Sequence, residues 1–156
     1  MDYPEDIDCL WLGTDAHGNV GAFVTAGRGP IPEAILQMPS DLVEELERMA
    51  NELPRTGLAV LVAPMKRPDD FVALAVRGLF AYDWSDVHRT LVAATGKYEL
   101  MASPGVAIKL SDLPQDLMAV AECASVEGRF GATRFLDMAQ DTLVRPQART
   151  RNPSPI

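Results

Sequence analysis

Two histidines and two cysteines are all that the 156 residues offer in the way of thiol nucleophiles, imidazole bases and the nitrogen and sulfur ligands of zinc. His88 follows Asp83-Trp84-Ser85-Asp86-Val87 and precedes Arg89. Ser85, Asp86 and His88 are the residue types of a nucleophilic triad, in which a histidine takes the hydroxyl proton and a carboxylate orients the ring. A working triad also needs oxyanion donors and three groups that converge in space. Three residues packed into one short segment do not converge in that way, and no G-x-S-x-G elbow is present. A hydrolase using Asp86 and His88 is therefore the least supported reading. His17 falls within Asp15-Ala16-His17-Gly18-Asn19, where it reads as an exposed turn residue.

Metal and phosphate chemistry fare no better. Zinc needs three or four ligands, usually in closely spaced pairs. Cys9 and Cys123 stand apart in apolar surroundings, as reduced core thiols of a cytosolic protein would, though spacing alone leaves a bridge between them open. Asp69-Asp70 and the acidic run Asp2, Glu5, Asp6 and Asp8 are explained by helix-start charge and surface solvation. Gly27-Arg28-Gly29 lacks a third glycine or a GK[ST] ending, and Pro30 and Pro32 remove backbone donors. No catalytic residue, metal site or cofactor is assigned.

Two features suited to binding remain. Glu44, Glu45, Glu47 and Glu52 form an acidic stripe on a helical segment. Tyr82, Asp83 and Trp84 end an aromatic strand that runs on to Asp86 and His88. A solvated face and a core strand are the ordinary fates of such groups, but tryptophan and tyrosine also anchor interfaces. Charge placement adds weight. With three of its 14 basic residues beyond position 144, the body carries 11 basic against 22 acidic side chains, a net charge of −11 against −8 for the whole chain. Such a field repels nucleic acid and anionic membrane and speeds encounter with a basic partner.

The elements that position these groups follow from pattern. Ile7–Leu12 and Val20–Thr25, around an Asp/Gly/Asn turn, predict an antiparallel hairpin. A helical turn is expected at Pro32–Gln37. Ser40 reads as the N-cap of a helix whose inner stripe is Leu42, Leu46, Met49 and Leu53, stopped by Pro54. Leu58–Ala63 reads as a strand buried on both faces, and Pro68 opens a helix with Phe71, Leu74 and Ala75 inward. Strands are expected at Leu79–Trp84, Tyr98–Ala102 and Val106–Leu110, a helix from Asp112 or Pro114 to Ala124, and a short strand at Phe135–Leu136.

These elements make one α+β domain over residues 1–144, with a mostly antiparallel or mixed sheet of five to six strands and about three helices. A chain of this length buries roughly 68–70% of its unfolded surface, enough for one core. Hydrophobic residues at 47% and charged residues at 23% fit a globular body. Residues 145–156, basic and proline-rich, read as a disordered tail. The acidic start lacks the pattern of a secretory signal and no apolar run is long enough to span a bilayer, so a cytoplasmic protein is expected.

Three stretches together carry a resemblance: Trp11–Asp15 with Gly18–Gly27 and Gly29–Pro32; Arg77–Trp84; and Tyr98–Leu100. Their layout resembles small bacterial proteins, some of which are similar to the immunity proteins of polymorphic or contact-dependent toxin systems. The resemblance spans about residues 7–138 and consists of turn and core patterns, so no functional residue is carried over. It implies a stable, non-catalytic module that neutralises a basic toxin domain by steric and electrostatic occlusion, with Glu44, Glu45, Glu47 and Glu52 as first contacts. The alternative is a small-ligand-binding or regulatory domain whose pocket lies between sheet and helices near Asp83, Trp84 and His88.

Overall fold

The structure is a computed structural model that describes residues 2–63, 68–85, 97–137 and 142–144. Strands β1 (Leu10–Asp15) and β2 (Val20–Val24) form the expected hairpin, starting later than the apolar pattern because the ladder begins at Leu10↔Val24. Asp15 builds its turn. One carboxylate oxygen accepts the His17 and Asn19 amides at 2.8 and 2.9 Å, the other Asn19 Nδ2 at 3.0 Å and the Phe130 amide at 2.8 Å. Those four bonds satisfy a buried charge that would otherwise be costly.

The helix α1 (Glu33–Leu36) is short, and α2 (Ser40–Ala50) begins one residue earlier than the sequence implies. Pro39 holds the cap position and its carbonyl accepts the Leu42 and Val43 amides, so Ser40 is the first helical residue and caps nothing. The buried stripe of α2 is Val43, Leu46 and Ala50, rotated slightly from the expected one. β3 (Ala59–Leu61) precedes α3 (Asp69–Ala75), which starts after Pro68 as expected and stops at Gly78, whose φ of +93° few side chains tolerate.

Next come β4 (Phe80–Ser85) and β5 (Lys97–Pro104), then a 3₁₀ turn at Leu110–Asp112 and α4 (Gln115–Ala121). β6 (Ala124–Val126), β7 (Phe135–Leu136) and β8 (Thr142–Val144) complete the described chain. The sheet runs β3-β5-β4-β2-β1-β6-β8, with β7 also on β5. It is mixed: β2 to β4 and β1 to β6 are parallel, and the other pairings antiparallel. The α+β class holds, with eight strands among the described residues where about five to six were expected.

Three further expectations are corrected. Leu58–Ala63 is not buried on both faces. It forms the sheet's edge, leaving Leu58, Val60 and Leu61 exposed, because β5 alone pairs with it. An apolar run specifies a strand and does not say how many neighbours it has. Val106–Leu110 is not a strand. Its backbone bonds instead to turns, Ile108 to Gly78 O and Leu110 to Gly18 O, and Lys109 Nζ reaches Asn19 Oδ1 at 2.9 Å. α4 also ends short of Ala124, where the chain re-enters the sheet beside β1 as β6.

Alternation along the strands sorts side chains to two faces. Register partners Leu10, Val24 and Asp83 share the face that α2 and α3 cover. Trp11, Phe23, Tyr82 and Tyr98 lie on the other, where Phe130 joins them. Gly29 sits so close to that cluster that a Cβ there would fall 2.5 Å from the Tyr98 hydroxyl.

Candidate functional site

The four glutamates of the α2 stripe are all exposed, as its amphipathic spacing requires. They are not equivalent. Arg48, three residues after Glu45 and four before Glu52, bridges the two, reaching Glu52 at 2.9 Å. Exposed pairs of this kind steady the helix surface weakly and lower its local charge. Glu44 and Glu47 make no ion pair among the described residues and carry the outward negative charge of the helix.

The aromatic strand divides by alternation. Tyr82 is fully buried; its ring stacks on Phe23 at 5.0 Å and its hydroxyl accepts the Gly131 amide at 3.2 Å. Trp84 is half-buried and packs edge-on against Tyr98 at 5.1 Å. Asp83 points to the opposite face, under the helices, and is only 4% exposed. The structure thus separates Tyr82 and Trp84 from Asp83 by the thickness of the sheet. Asp86 and His88 lie outside the described residues.

Asp83 instead meets the α2 stripe. Between the sheet and helices α2 and α3 lies a cleft of about 240 Å³. Its carboxylates are Asp83 of β4, Glu47 of α2, Asp70 from the first turn of α3 and Asp8 just ahead of β1. Asn51 adds an amide, and Leu10, Val24, Phe71 and Leu74 form an apolar wall. No basic side chain lines it among the described residues. One oxygen of Asp8 is engaged by the Ala26 amide at 2.9 Å, which fixes that carboxylate at the mouth. Among the described residues no group of three His, Cys, Asp or Glu is placed to hold a metal ion.

Sequence reasoning named Glu47 and Asp83 and missed Asp8, Asp70 and Asn51. Asp70 was absorbed by helix-start charge, a sound explanation that is silent on what faces the helix. The available signal was parity: Asp8 and Leu10 lie two residues apart, on the side that pairs with Val24 and, through it, Asp83.

Cys9 lies behind the same acidic row. Burial raises its thiol pKa first, and Asp8, Glu44 and Glu47 raise it further. Its Sγ–H donates to Ile7 O at 3.4 Å. Cys9 and Cys123 are not joined in a disulfide and are half-buried, not core residues as expected, because each sits at an element's end. At Gly27-Arg28-Gly29 the Arg28 and Gly29 amides both donate to Thr25 O, so the turn spends its donors internally. No helix of the described residues is long and apolar enough to cross a membrane.

Compared with known proteins, the chain matches no family model, and no curated protein or solved structure is significantly similar to it.

Proposed function

We propose that the chain is a non-catalytic protein-binding module whose partner is a basic toxin domain that it neutralises as an immunity protein. One observation carries the binding part: Glu44 and Glu47 project from α2, without ion pairs among the described residues, beside a cleft walled by further carboxylates, on a body of net charge −11. A basic cleft that binds nucleic acid is complementary to such a surface, and occupation by an acidic plug excludes its substrate. The resemblance of the hairpin and strand patterns to immunity proteins narrows the basic partner to a toxin. The acidic surface by itself asks only for positive charge.

The test is reversal of all four glutamates to lysine (Glu44, Glu45, Glu47, Glu52) and measurement of affinity for the protein that co-purifies with the tagged chain. Loss of at least a hundredfold is expected, together with an association rate that falls steeply with salt in the unmodified protein. An unchanged dissociation constant removes this surface from consideration.

A second reading is favoured by the cleft itself: a small-ligand-binding domain, its pocket reaching Asp83 between sheet and helices. Trp84 does not line that pocket. A melting temperature that rises with a small molecule, in the absence of any protein, would support this reading over the first.

A further inference from the structure

We propose that the open edge of β3 is a self-association surface, where two copies of the chain join their sheets by antiparallel pairing about a two-fold axis at Val60. The inference does not involve α2 or its glutamates, and it stands or falls apart from the binding reading above.

The apolar surface of the molecule is concentrated at this edge. The large hydrophobic side chains exposed among the described residues are Ile7, Leu58, Val60, Leu61, Val62 and Val106. All but Ile7 lie on or beside β3. The Thr56 hydroxyl donates to Val106 O and the Gly105 amide to Leu58 O, each at 2.7 Å, which holds Val106 against the start of the strand. Leu58 is 80% exposed and Val60 57%. Edge strands are ordinarily guarded by a lysine, a proline or a bulge that stops another strand from joining. β3 reads Ala59-Val60-Leu61, pairs with β5 in unbroken register and contains none of these.

The backbone shows which groups are on offer. Leu58 O accepts the Gly105 amide and the Val62 amide donates to Met101 O, so Leu58, Val60 and Val62 turn their peptide groups toward β5. Ala59 and Leu61, opposite Pro104 and Ala102, occupy the alternate positions and turn theirs outward. Pairing Ala59 of one copy with Leu61 of the other, twice over, satisfies both outward residues and sets Val60 against Val60 on the axis. Leu58 then meets Val62 of the second copy, and by alternation these side chains share one face of the joined sheet. Each exposed apolar group of the strand is thereby matched by another.

Charge and area favour a second copy as the occupant. Residues 57–65 carry no charge, so a basic partner finds no counter-charge there. Two bodies of net charge −11 repel, and a neutral edge is where they can meet. The five side chains expose on the order of 400 Å² of hydrocarbon, a size at which one patch commonly marks an interaction site. Two such patches with their backbone edges come to roughly 1,000 Å², the least expected of a specific interface. The dimer is therefore reversible. It is also closed, because both copies use the same edge.

The test is sedimentation velocity of the full chain up to about 0.5 mM, where a monomer–dimer equilibrium is expected with a dissociation constant on the order of 10–100 µM. Salt should tighten it by screening the like-charged bodies, the opposite of its effect on a basic partner. Val60→Lys puts two ammonium groups face to face on the axis and is expected to weaken the dimer at least about tenfold. Ile7→Lys makes the same change at the exposed hydrophobic away from the edge and should leave the constant within about twofold. Register is tested in a Cys9→Ser, Cys123→Ser background. Val60→Cys is expected to form a disulfide-linked dimer under mild oxidation, since Cα atoms of such a pair lie ~4.5 Å apart. Leu58→Cys, which faces Val62, is expected to cross-link about tenfold more slowly. A chain that stays monomeric throughout, a dimer unaffected by Val60→Lys or equally weakened by Ile7→Lys, or cross-linking as fast through Leu58→Cys overturns the proposal. So does a monomeric chain that captures a different protein and loses it on Val60→Lys, which assigns the edge to that protein's strand.

Discussion

On one side of the sheet, Trp11 stacks on Phe23 at 4.1 Å, Phe23 on Tyr82 at 5.0 Å, and Tyr98 stands edge-on to both Trp11 and Phe23. Their polar tips are satisfied: the Trp11 indole N–H donates to the Tyr98 hydroxyl at 3.1 Å, which donates in turn to Pro30 O at 3.0 Å. On the other side, the same strands present Leu10, Val24 and Asp83 to a space that α2 and α3 do not fill. The first face is closed by rings that bury large areas and whose indole nitrogen and hydroxyls each have a hydrogen-bond partner, which is how a scaffold is fixed. The second keeps a cavity and a ring of like charge, both of which cost stability in an isolated domain.

The comparison is broken most directly from the aromatic side. Phe23→Ala removes the ring at the centre of the cluster and is expected to cost about 3–5 kcal/mol, measured by urea denaturation. A loss below ~1 kcal/mol would mean that the aromatic face is not the scaffold. Alkaline pH probes the same face. Burial holds the Tyr98 and Tyr82 hydroxyls above their ordinary value of 10.0, so the folded chain keeps protons that the unfolded chain releases. Stability is therefore full below pH 10 and falls as pH rises beyond it. Tyr98→Phe is expected to flatten that decline while costing about 1–3 kcal/mol at neutral pH, because the Trp11 N–H is left in a dry interior. A steep decline unchanged in Tyr98→Phe would place the titrating group elsewhere.

The two faces also differ in how far the sequence reveals them. The hairpin, α2, α3 and β4 are legible because each has a local signature: Asp15-Ala16-His17-Gly18-Asn19 for the turn, Pro68-Asp69-Asp70 for a helix start, alternation through Phe80-Ala81-Tyr82 for the strand. What is not local is lost. Leu58–Ala63 looks like a core strand because its six residues say nothing of its position at the end of the sheet order. Ala124 looks like the last residue of a helix, and instead opens β6, which β1 receives at Thr14 and Asp15 and β8 covers on the other edge. Half of the cleft suffers the same fate. Asp8 and Asp70 are far apart in the chain and each has an adequate private explanation; only the register Leu10↔Val24 and Val24↔Asp83 brings their neighbourhoods together.

A sharper contrast comes from the cleft variant Glu47→Gln, Asp70→Asn. Both side chains are exposed and form no ion pair among the described residues, so thermal stability is expected to stay within about 0.5 kcal/mol of the parent or rise slightly as like charges are relieved. A destabilisation comparable to that of Tyr98→Phe would show that these carboxylates hold the fold together, and would erase the distinction between the faces.

The smallest effect is the most local, and it reads the acidic row from behind. The Cys9 thiol is kept protonated first by burial and then by Asp8, Glu44 and Glu47. Iodoacetamide attacks the thiolate, so in a Cys123→Ser background Cys9 is expected to react several-fold more slowly at pH 8 than an unstructured cysteine peptide. Glu44→Gln, Glu47→Gln removes two of the three charges and leaves the burial, and should recover only part of that rate. Full recovery would make charge the dominant cause, and the acidic row a stronger field than the side chains around Cys9 suggest. No recovery would mean that α2 projects its charge wholly into solvent, away from the sheet.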